Sequence, residues 1–287
     1  MNDFVIFILS HGRANGVYTV KTLKKQGYTG KIIMVIDNED DTADEYYNNF
    51  DDVEMFDKKA ISQTFEEGDN FGDRRTIVYA RNACFEIAKK RGYKYFMQLD
   101  DDYTRFEYRI YNNKIQKPKF ITDLDSVLLA LLDFYKKTPF DTISIAQGGD
   151  FIGGKNNRMA KKPTIYRKCM NTFICSTERP FKFIGRINED VNTYTKEQSK
   201  GLLLGTLPMV SIVQKTTQSN KGGMTETYLD QGTYVKSFYT VMFSPSCCTI
   251  KPMGDTKMRL HHSINWENAV PKIINENNKS CPTKPTP

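Results

Sequence analysis

Apolar positions in the first hundred residues come in two textures. FVIFIL (residues 4–9), KIIMVID (residues 31–37) and YKYFMQL (residues 93–99) are near-continuous apolar runs, as expected of strands covered on both faces. Between the first two, ANGVYTVKTLKKQGY sets Val17, Val20 and Leu23 at helical spacing and stops at Gly27. TADEYYNNF predicts a short helix and VEMFDK a short strand. RRTIVYARNACFEIAKKRGY predicts a longer helix, apolar at Ile77, Ala80, Cys84, Ile87 and Ala88 and closing on basic residues before Gly92. Strand alternating with helix predicts an α/β fold with a Rossmann-like, mainly parallel central sheet flanked by helices. Ligands of such sheets sit beyond the carboxyl ends of the strands. Ser10, His11, Gly12 and Arg13 after the first strand, Asp37 and Asn38 after the second, and the acidic triplet Asp100, Asp101 and Asp102 are therefore expected to meet at one edge.

Beyond Tyr103 the texture changes. TDLDSVLLALLDFYKKT predicts an amphipathic helix capped near Thr122 or Asp123. DTISIAQ, MNTFICST and LPMVSIVQKT read as strands and NEDVNTYTKEQSKG as a polar helix. GTYVKSFYTVMF fits helix or strand equally, and residues 275–287 read as a frayed tail. With no repeat and no linker, residues 1–274 are expected to form one domain. Residues 1–103 would be its nucleotide-sugar half and residues 104–274 its acceptor half, an acceptor-side subregion.

Composition narrows the class. A chain of 287 residues with 39% hydrophobic, 26% charged and 12% aromatic residues is expected to be globular. No apolar run approaches a membrane span, so no membrane partner is expected. Asp3, Arg13 and Asn15 fit a buried first strand better than a signal peptide. The six cysteines include no CxxC pair and fit no structural zinc site, which points to a reduced, cytoplasmic protein. The net charge of +7 is uneven: residues 37–57 are acidic and residues 155–168 basic. Basicity suits a polyanionic partner or simple solubility. No oligomeric signature is read.

The triplet asks for an explanation, because three like charges in a row repel. It is a solvated turn or the seat of a divalent cation that neutralises a diphosphate. Alternate residues at a strand end share a side, so Asp100 and Asp102 are paired as ligands and Asp101 is turned toward a ribose. His261 and His262, in a chain with three histidines, are candidate further ligands. Arg81 and Asn82 would reach the donor nucleotide, or Arg81 would simply pair with a surface acid. Ser10 and Arg13 would hold base and diphosphate, and Asp37 a uracil or ribose, or else cap a turn. In RINEDV, Glu189 and Asp190 are candidate general bases for an acceptor hydroxyl, or an ordinary acidic first turn of a helix. Lys155, Arg158, Lys161, Lys162, Tyr166, Arg167 and Lys168 would bind nucleic-acid phosphate and stack a base, or form a solvated loop. Gly222 and Gly223 of NKGGM suit the hinges of a lid or an ordinary loop.

Taken together, ILSHGRAN, VIDNEDD, ARNACFEIAKKRGYKYFMQLDDD and INEDV resemble the glycosyltransferase type A fold. More narrowly the chain resembles the phage glycosyltransferases associated with TET-type base hydroxylases, over most of residues 1–265. The resemblance implies a UDP-sugar donor, Mn²⁺ or Mg²⁺, and inverting transfer to a hydroxymethylated pyrimidine of DNA, hydroxymethylcytosine foremost, in the bacterial host cytoplasm. It implies Asp102 as the direct metal ligand with Asp100 beside it, and His261 or His262 as the late metal-binding histidine. Asp190 would be the base, with Glu189 second, and Ser10, Arg13, Asp37, Arg81 and Asn82 would form the donor pocket. His11 departs from the family pattern, where arginine follows the serine. A type A transferase for a glycan or protein, and a non-catalytic nucleotide-sugar or DNA-binding module, are the alternatives.

Overall fold

Strand β1 (Phe4–Leu9) is buried along its whole length, and its residues alternate between two cores. Phe4, Ile6 and Ile8 join Leu23, Leu128 and Leu131 on one side, whereas Val5, Phe7 and Leu9 join Tyr79, Ala83 and Cys84 on the other. A strand facing two helical layers has no polar face to show, which is why its sequence is apolar throughout. β2 (Ile32–Asp37), β3 (Val53–Phe56) and β4 (Tyr95–Asp100) complete a parallel quartet in the order β3-β2-β1-β4. Helices α1 (Tyr18–Lys25), α2 (Ala43–Asn49), α3 (Lys58–Ser62) and α4 (Val78–Lys90) make the crossovers. The computed structural model describes residues 3–112, 115–151, 162–215, 232, 234–254, 258–274 and 276.

The second half continues the same sheet. β5 (Tyr103–Asn112) and β6 (Ile115–Phe120) form a hairpin, followed by α5 (Leu124–Lys137), β7 (Thr142–Gln147), β8 (Phe173–Ser176), α6 (Glu189–Ser199) and β9 (Leu204–Gln214). The nine-stranded order is β3-β2-β1-β4-β8-β7-β9-β5-β6, and β8 and β5 run against the rest. The expected mainly parallel sheet is therefore present, and the two halves share it. Asp123 rather than Thr122 caps α5, its carboxylate accepting from the Ser126 amide at 3.0 Å. Pro208 lies where the β7–β9 register jumps from Leu207 to Ser211, a break suited to a residue without an amide hydrogen. The ambiguous segment is a helix, α7 (Val235–Phe243), followed by the hairpin β10 (Cys248–Met253) and β11 (Arg259–Ile264) and by the short α8 (Trp266–Ala269). The five described cysteines are buried and free. Among the described residues no helix is long and apolar enough to cross a membrane.

Candidate active site

The turn that carries the acidic triplet is fixed by the start of α1. Tyr18 and Thr19 donate their amides to the Asp101 carbonyl at 2.8 and 3.1 Å, and the Thr19 hydroxyl donates to the Asp100 carbonyl at 2.6 Å. With the backbone held, the three side chains diverge. Asp100 accepts from Arg81 Nη2 at 3.1 Å. Asp101, 3% exposed, accepts from the Ser10 hydroxyl at 2.5 Å and lies 3.3 Å from Arg13 Nη1. Asp102 has no ion pair among the described residues. Burial, then the charges of Asp100 and Asp101, push its carboxyl up to about 7.

The neighbouring strand ends converge as expected. Ser10 Oγ sits 2.7 Å from Tyr46 Oη, which also accepts from the Arg13 amide at 2.9 Å. Asp37 at the end of β2 is already engaged: Lys58 Nζ lies 3.1 Å away and His11 Nδ1 2.9 Å. Burial alone would raise the Asp37 carboxyl, but the His11 hydrogen bond and the Lys58 charge outweigh it and hold it below its ordinary value. Lys58, buried two positions after β3, is a residue of this cluster that sequence reasoning missed. A lysine pair opening a helix gave no signal.

Arg81 joins this edge to the start of α6. It is 1% exposed on α4, stacks on the Phe173 ring at 4.7 Å, and places Nη2 on Asp100 and Nε 3.2 Å from Glu189 Oε1. Glu189 and Asp190 open α6, where the helix dipole favours acids. The turn before them is pinned. Asn188 adopts a left-handed φ of +63°, which asparagine tolerates, and its amide donates to Thr240 Oγ1 of α7 at 2.5 Å. Arg186, equally buried, donates to Asp69 at 2.9 Å and to Tyr239 Oη at 3.1 Å. The acidic pair is split electrostatically. Burial and the Asp190 charge raise Glu189. Burial would raise Asp190 too, but Lys168 Nζ at 2.6 Å overrides it, so Asp190 is held below the usual carboxylate range.

Residues 4–223 match the TET-associated glycosyltransferase family. The chain belongs to that family. A comparison with curated proteins found no match. Among solved structures, the chain is similar to a glucosyl-3-phosphoglycerate synthase from Mycobacterium tuberculosis in complex with Mn²⁺, UDP and phosphoglyceric acid. The identity is 8%, with 91% of this chain and 86% of that one covered, at a TM-score of 0.46. It is also similar to a mannosyltransferase from Pyrobaculum calidifontis in complex with GDP-Man and Mn²⁺. There the identity is 10%, with 85% and 74% covered, at a TM-score of 0.44.

Several expected residues of the transferase sit differently from their sequence reading. Asn82 is wholly buried, and its amide both donates to the Phe183 carbonyl and accepts from the Phe183 amide at 2.9 Å. It holds the segment before the acidic turn and has no polar atom left for a nucleotide. Arg81 likewise works from inside, as a strut between carboxylates. Of the basic segment, Lys155, Arg158 and Lys161 lie outside the described residues, as do Gly222 and Gly223. Arg167 pairs with Asp150 and lies 5.6 Å from the Trp266 ring, and Lys168 holds Asp190. Lys162 and Tyr166 stay exposed. His261 and His262 are neighbours on β11, with His261 Nδ1 2.7 Å from the His262 carbonyl. Burial and then the Lys168 charge push His262 down to about 3. The family match ends before this hairpin. Among the described residues no three histidine, cysteine or carboxylate side chains are gathered as a metal-ligand set.

Proposed function

We propose that this transferase moves a sugar from a UDP-sugar to the hydroxymethyl group of a modified pyrimidine, 5-hydroxymethylcytosine foremost, in phage DNA. Transfer occurs with inversion and with a divalent cation, Mn²⁺ or Mg²⁺. The observation that carries the reading is Arg81, whose buried guanidinium bridges Asp100 at 3.1 Å and Glu189 at 3.2 Å. One side chain thereby fixes the distance between the donor-edge carboxylates and the acidic pair that faces an acceptor.

The chemistry of the donor set fits a cation. Arg81 and Arg13 neutralise Asp100 and Asp101, whereas Asp102 carries a carboxyl raised by burial and then by its neighbours' negative charge. A dication is the partner that would reverse that penalty. Asp102 would hold it, with Asp100 beside it and His261 or His262 as a further ligand. Bound there, it supplies Lewis-acid neutralisation of a departing diphosphate. The rest is done by the chain. Arg13 and Ser10 brace the triplet and the β1 loop. The acceptor oxygen attacks the anomeric carbon, its bond to that carbon forms as the bond to the diphosphate oxygen breaks, and the hydroxyl proton passes to Asp190. Lys168 keeps Asp190 ionised and ready, and Glu189 stays locked on Arg81. Lys162 and Tyr166 contact the DNA.

The test is direct. Hydroxymethylated DNA is incubated with the protein, Mn²⁺ and a panel of UDP-sugars, then digested, and the nucleosides are weighed. A nucleoside heavier by one sugar residue supports the proposal. UDP released with the DNA unmodified moves the acceptor to a glycan or protein. No turnover of any UDP-sugar overturns the donor.

A further inference from the structure

Between α3 and α4 the chain forms the loop TFEEGDNFGDRR (residues 64–75), which the mechanism above does not use. Arg74 Nε donates to Glu39, just beyond β2, at 2.8 Å. Earlier in the loop, the Glu66 and Glu67 carbonyls accept from the Gly185 and Arg186 amides at 2.8 and 2.7 Å, in the turn that leads into α6. The loop therefore reaches from the end of β2 to the approach to Glu189 and Asp190. Its tip is held from two sides. The buried Arg186 guanidinium donates to Asp69 at 2.9 Å and lies 3.2 Å from Asp73, two residues before and two residues after Phe71. Asp69 also accepts from the Phe71 amide at 3.0 Å and from the Tyr239 hydroxyl of α7. Gly68 and Gly72, at φ of +85° and +69°, turn the chain on either side.

Phe71 stands at that tip, 72% exposed, the most exposed aromatic side chain among the described residues. A single exposed apolar side chain is ordinary on a free loop, which can fold back over it. This loop is pinned on both sides, so the ring is held outward. The aromatic surface continues on α7. Tyr239 faces inward onto Asp69, whereas Tyr234, Phe238 and Met242, four residues apart along the helix, face solvent. The Tyr234 and Phe238 rings meet edge to face at 6.1 Å. The loop is tied to the turn before the acidic pair through Arg186, and α7 through the bond from Asn188 to Thr240.

What covers these rings must therefore lie beside Glu189 and Asp190, where the acceptor is placed in the reading above. An aromatic ring recognises a base by its face. In an intact duplex those faces are covered by the neighbouring bases, and a rigid exposed ring gains nothing until a step is opened. We propose that Phe71 stacks on an unpaired base of the acceptor strand, that Phe238 continues the platform along α7, and that the enzyme for this reason prefers single-stranded DNA to duplex. The inference rests on the DNA-acceptor reading and adds how the base is presented.

The experiment measures the affinity of the full chain, in Mn²⁺ and UDP, for one short oligonucleotide carrying hydroxymethylcytosine, as a single strand and as a duplex. UDP affinity is measured in parallel. Wild type is expected to bind the single strand about tenfold or more tightly than the duplex, because the duplex must first be opened. Phe71→Ala should lose about 5- to 100-fold on the single strand, the range for one base–aromatic stack, and less on the duplex, with UDP affinity kept. Phe71→Leu stays apolar but lacks the ring, and should fall with Phe71→Ala. Phe238→Ala should show a smaller loss. Phe71→Trp should bind like wild type, and the single strand should quench its emission beyond any change at Trp266, the one native tryptophan. Wild-type single-strand affinity in Phe71→Ala overturns the proposal and leaves the ring to an apolar protein surface. Wild-type affinity in Phe71→Leu, unquenched emission from Phe71→Trp, or equal binding of single strand and duplex by wild type overturns it too. A fall in UDP affinity in Phe71→Ala would move the ring to the donor and overturn it as well. If wild type binds neither form of the oligonucleotide, the DNA-acceptor reading itself fails, and this inference with it.

Discussion

On the proposed donor edge, three adjacent carboxylates are each given a different environment within one turn of chain. Asp100 meets Arg81, Asp101 meets Ser10 and Arg13, and Asp102 forms no ion pair among the described residues. On the proposed acceptor side, two adjacent acids are divided between two cations from distant parts of the sequence, Glu189 with Arg81 and Asp190 with Lys168. The donor edge gets its geometry from parallel strands and the α1 amides, so its backbone is set by other backbone. The acceptor side gets its geometry from side chains. Arg186 reaches Asp69, Asn188 reaches Thr240, and Asn82 reaches Phe183. A substitution at the donor edge should therefore alter chemistry with the fold intact, whereas most polar substitutions behind the acceptor turn should loosen the fold first.

Arg81 is the member common to both sides, and its removal has the largest expected effect. Arg81→Met would leave Asp100 and Glu189 buried without a cation, a loss of about 3–5 kcal/mol. Both acids are already raised by burial, with Arg81 opposing the rise. The penalty should accordingly be greater at pH 8 than at pH 5, where the freed acids can take up protons. Urea titrations at the two pH values check it, and an equal loss at both would show that the guanidinium acts by packing alone. Asp190→Asn comes next. It should lower sugar transfer by about 10²–10⁴-fold, the range for a lost general base, and leave UDP affinity and stability close to wild type. If UDP affinity falls in parallel with transfer, Asp190 belongs to donor binding and the division between the sides is wrong.

The two sides also differed in how far they could be read in advance. The first half of the sheet was legible because buried parallel strands are continuous apolar runs, and the polar residues that follow them directly converge at one edge. The hairpin of β5 and β6 went unread although Phe106, Tyr108 and Ile110 alternate with Arg105, Glu107 and Arg109, a period-2 signal present in the chain. The insertion of β8 between β4 and β7 carries no local signal, since pairing across some 75 residues leaves no mark on either strand's composition. Within the site, residue type was legible and partner was not. Lys168 reads as one of six cations in a loop, and its position 22 residues before Asp190 does not reveal the 2.6 Å contact. Asn82 reads as polar and available, and only packing turns it into a backbone brace.

A smaller effect should separate Asp102 from its neighbours. An acid raised from an ordinary 3.8 to about 7 in the folded chain binds more protons there than when unfolded. Metal-free stability should then fall as pH rises through that window. Asp102→Asn removes this contribution, so its thermal midpoint should decline less between pH 4 and pH 7 than that of wild type in chelator. Mn²⁺ should restore wild type at pH 7 and do nothing for the variant, because a ligand must lose its proton to bind. Identical pH profiles in chelator would mean that Asp102 is solvated and that the cation has another seat.

The smallest effect tests the acceptor side at its rim. Lys162 is exposed and shares its stretch of chain with Lys168, so a sequence reading treats them alike. Their surroundings do not. A phosphate contact by Lys162 would release counterions, so Lys162→Ala should reduce the slope of log affinity against log salt by about 0.9 and weaken all DNA sequences equally. Lys168 is already paired to Asp190 within the protein, so Lys168→Met should leave the salt slope of DNA binding unchanged while raising the Asp190 carboxyl and shifting the pH profile of transfer upward. Equal slopes for both variants and wild type would place the DNA backbone away from this segment altogether, and a reduced slope in Lys168→Met would mean that DNA competes with Asp190 for the same ammonium.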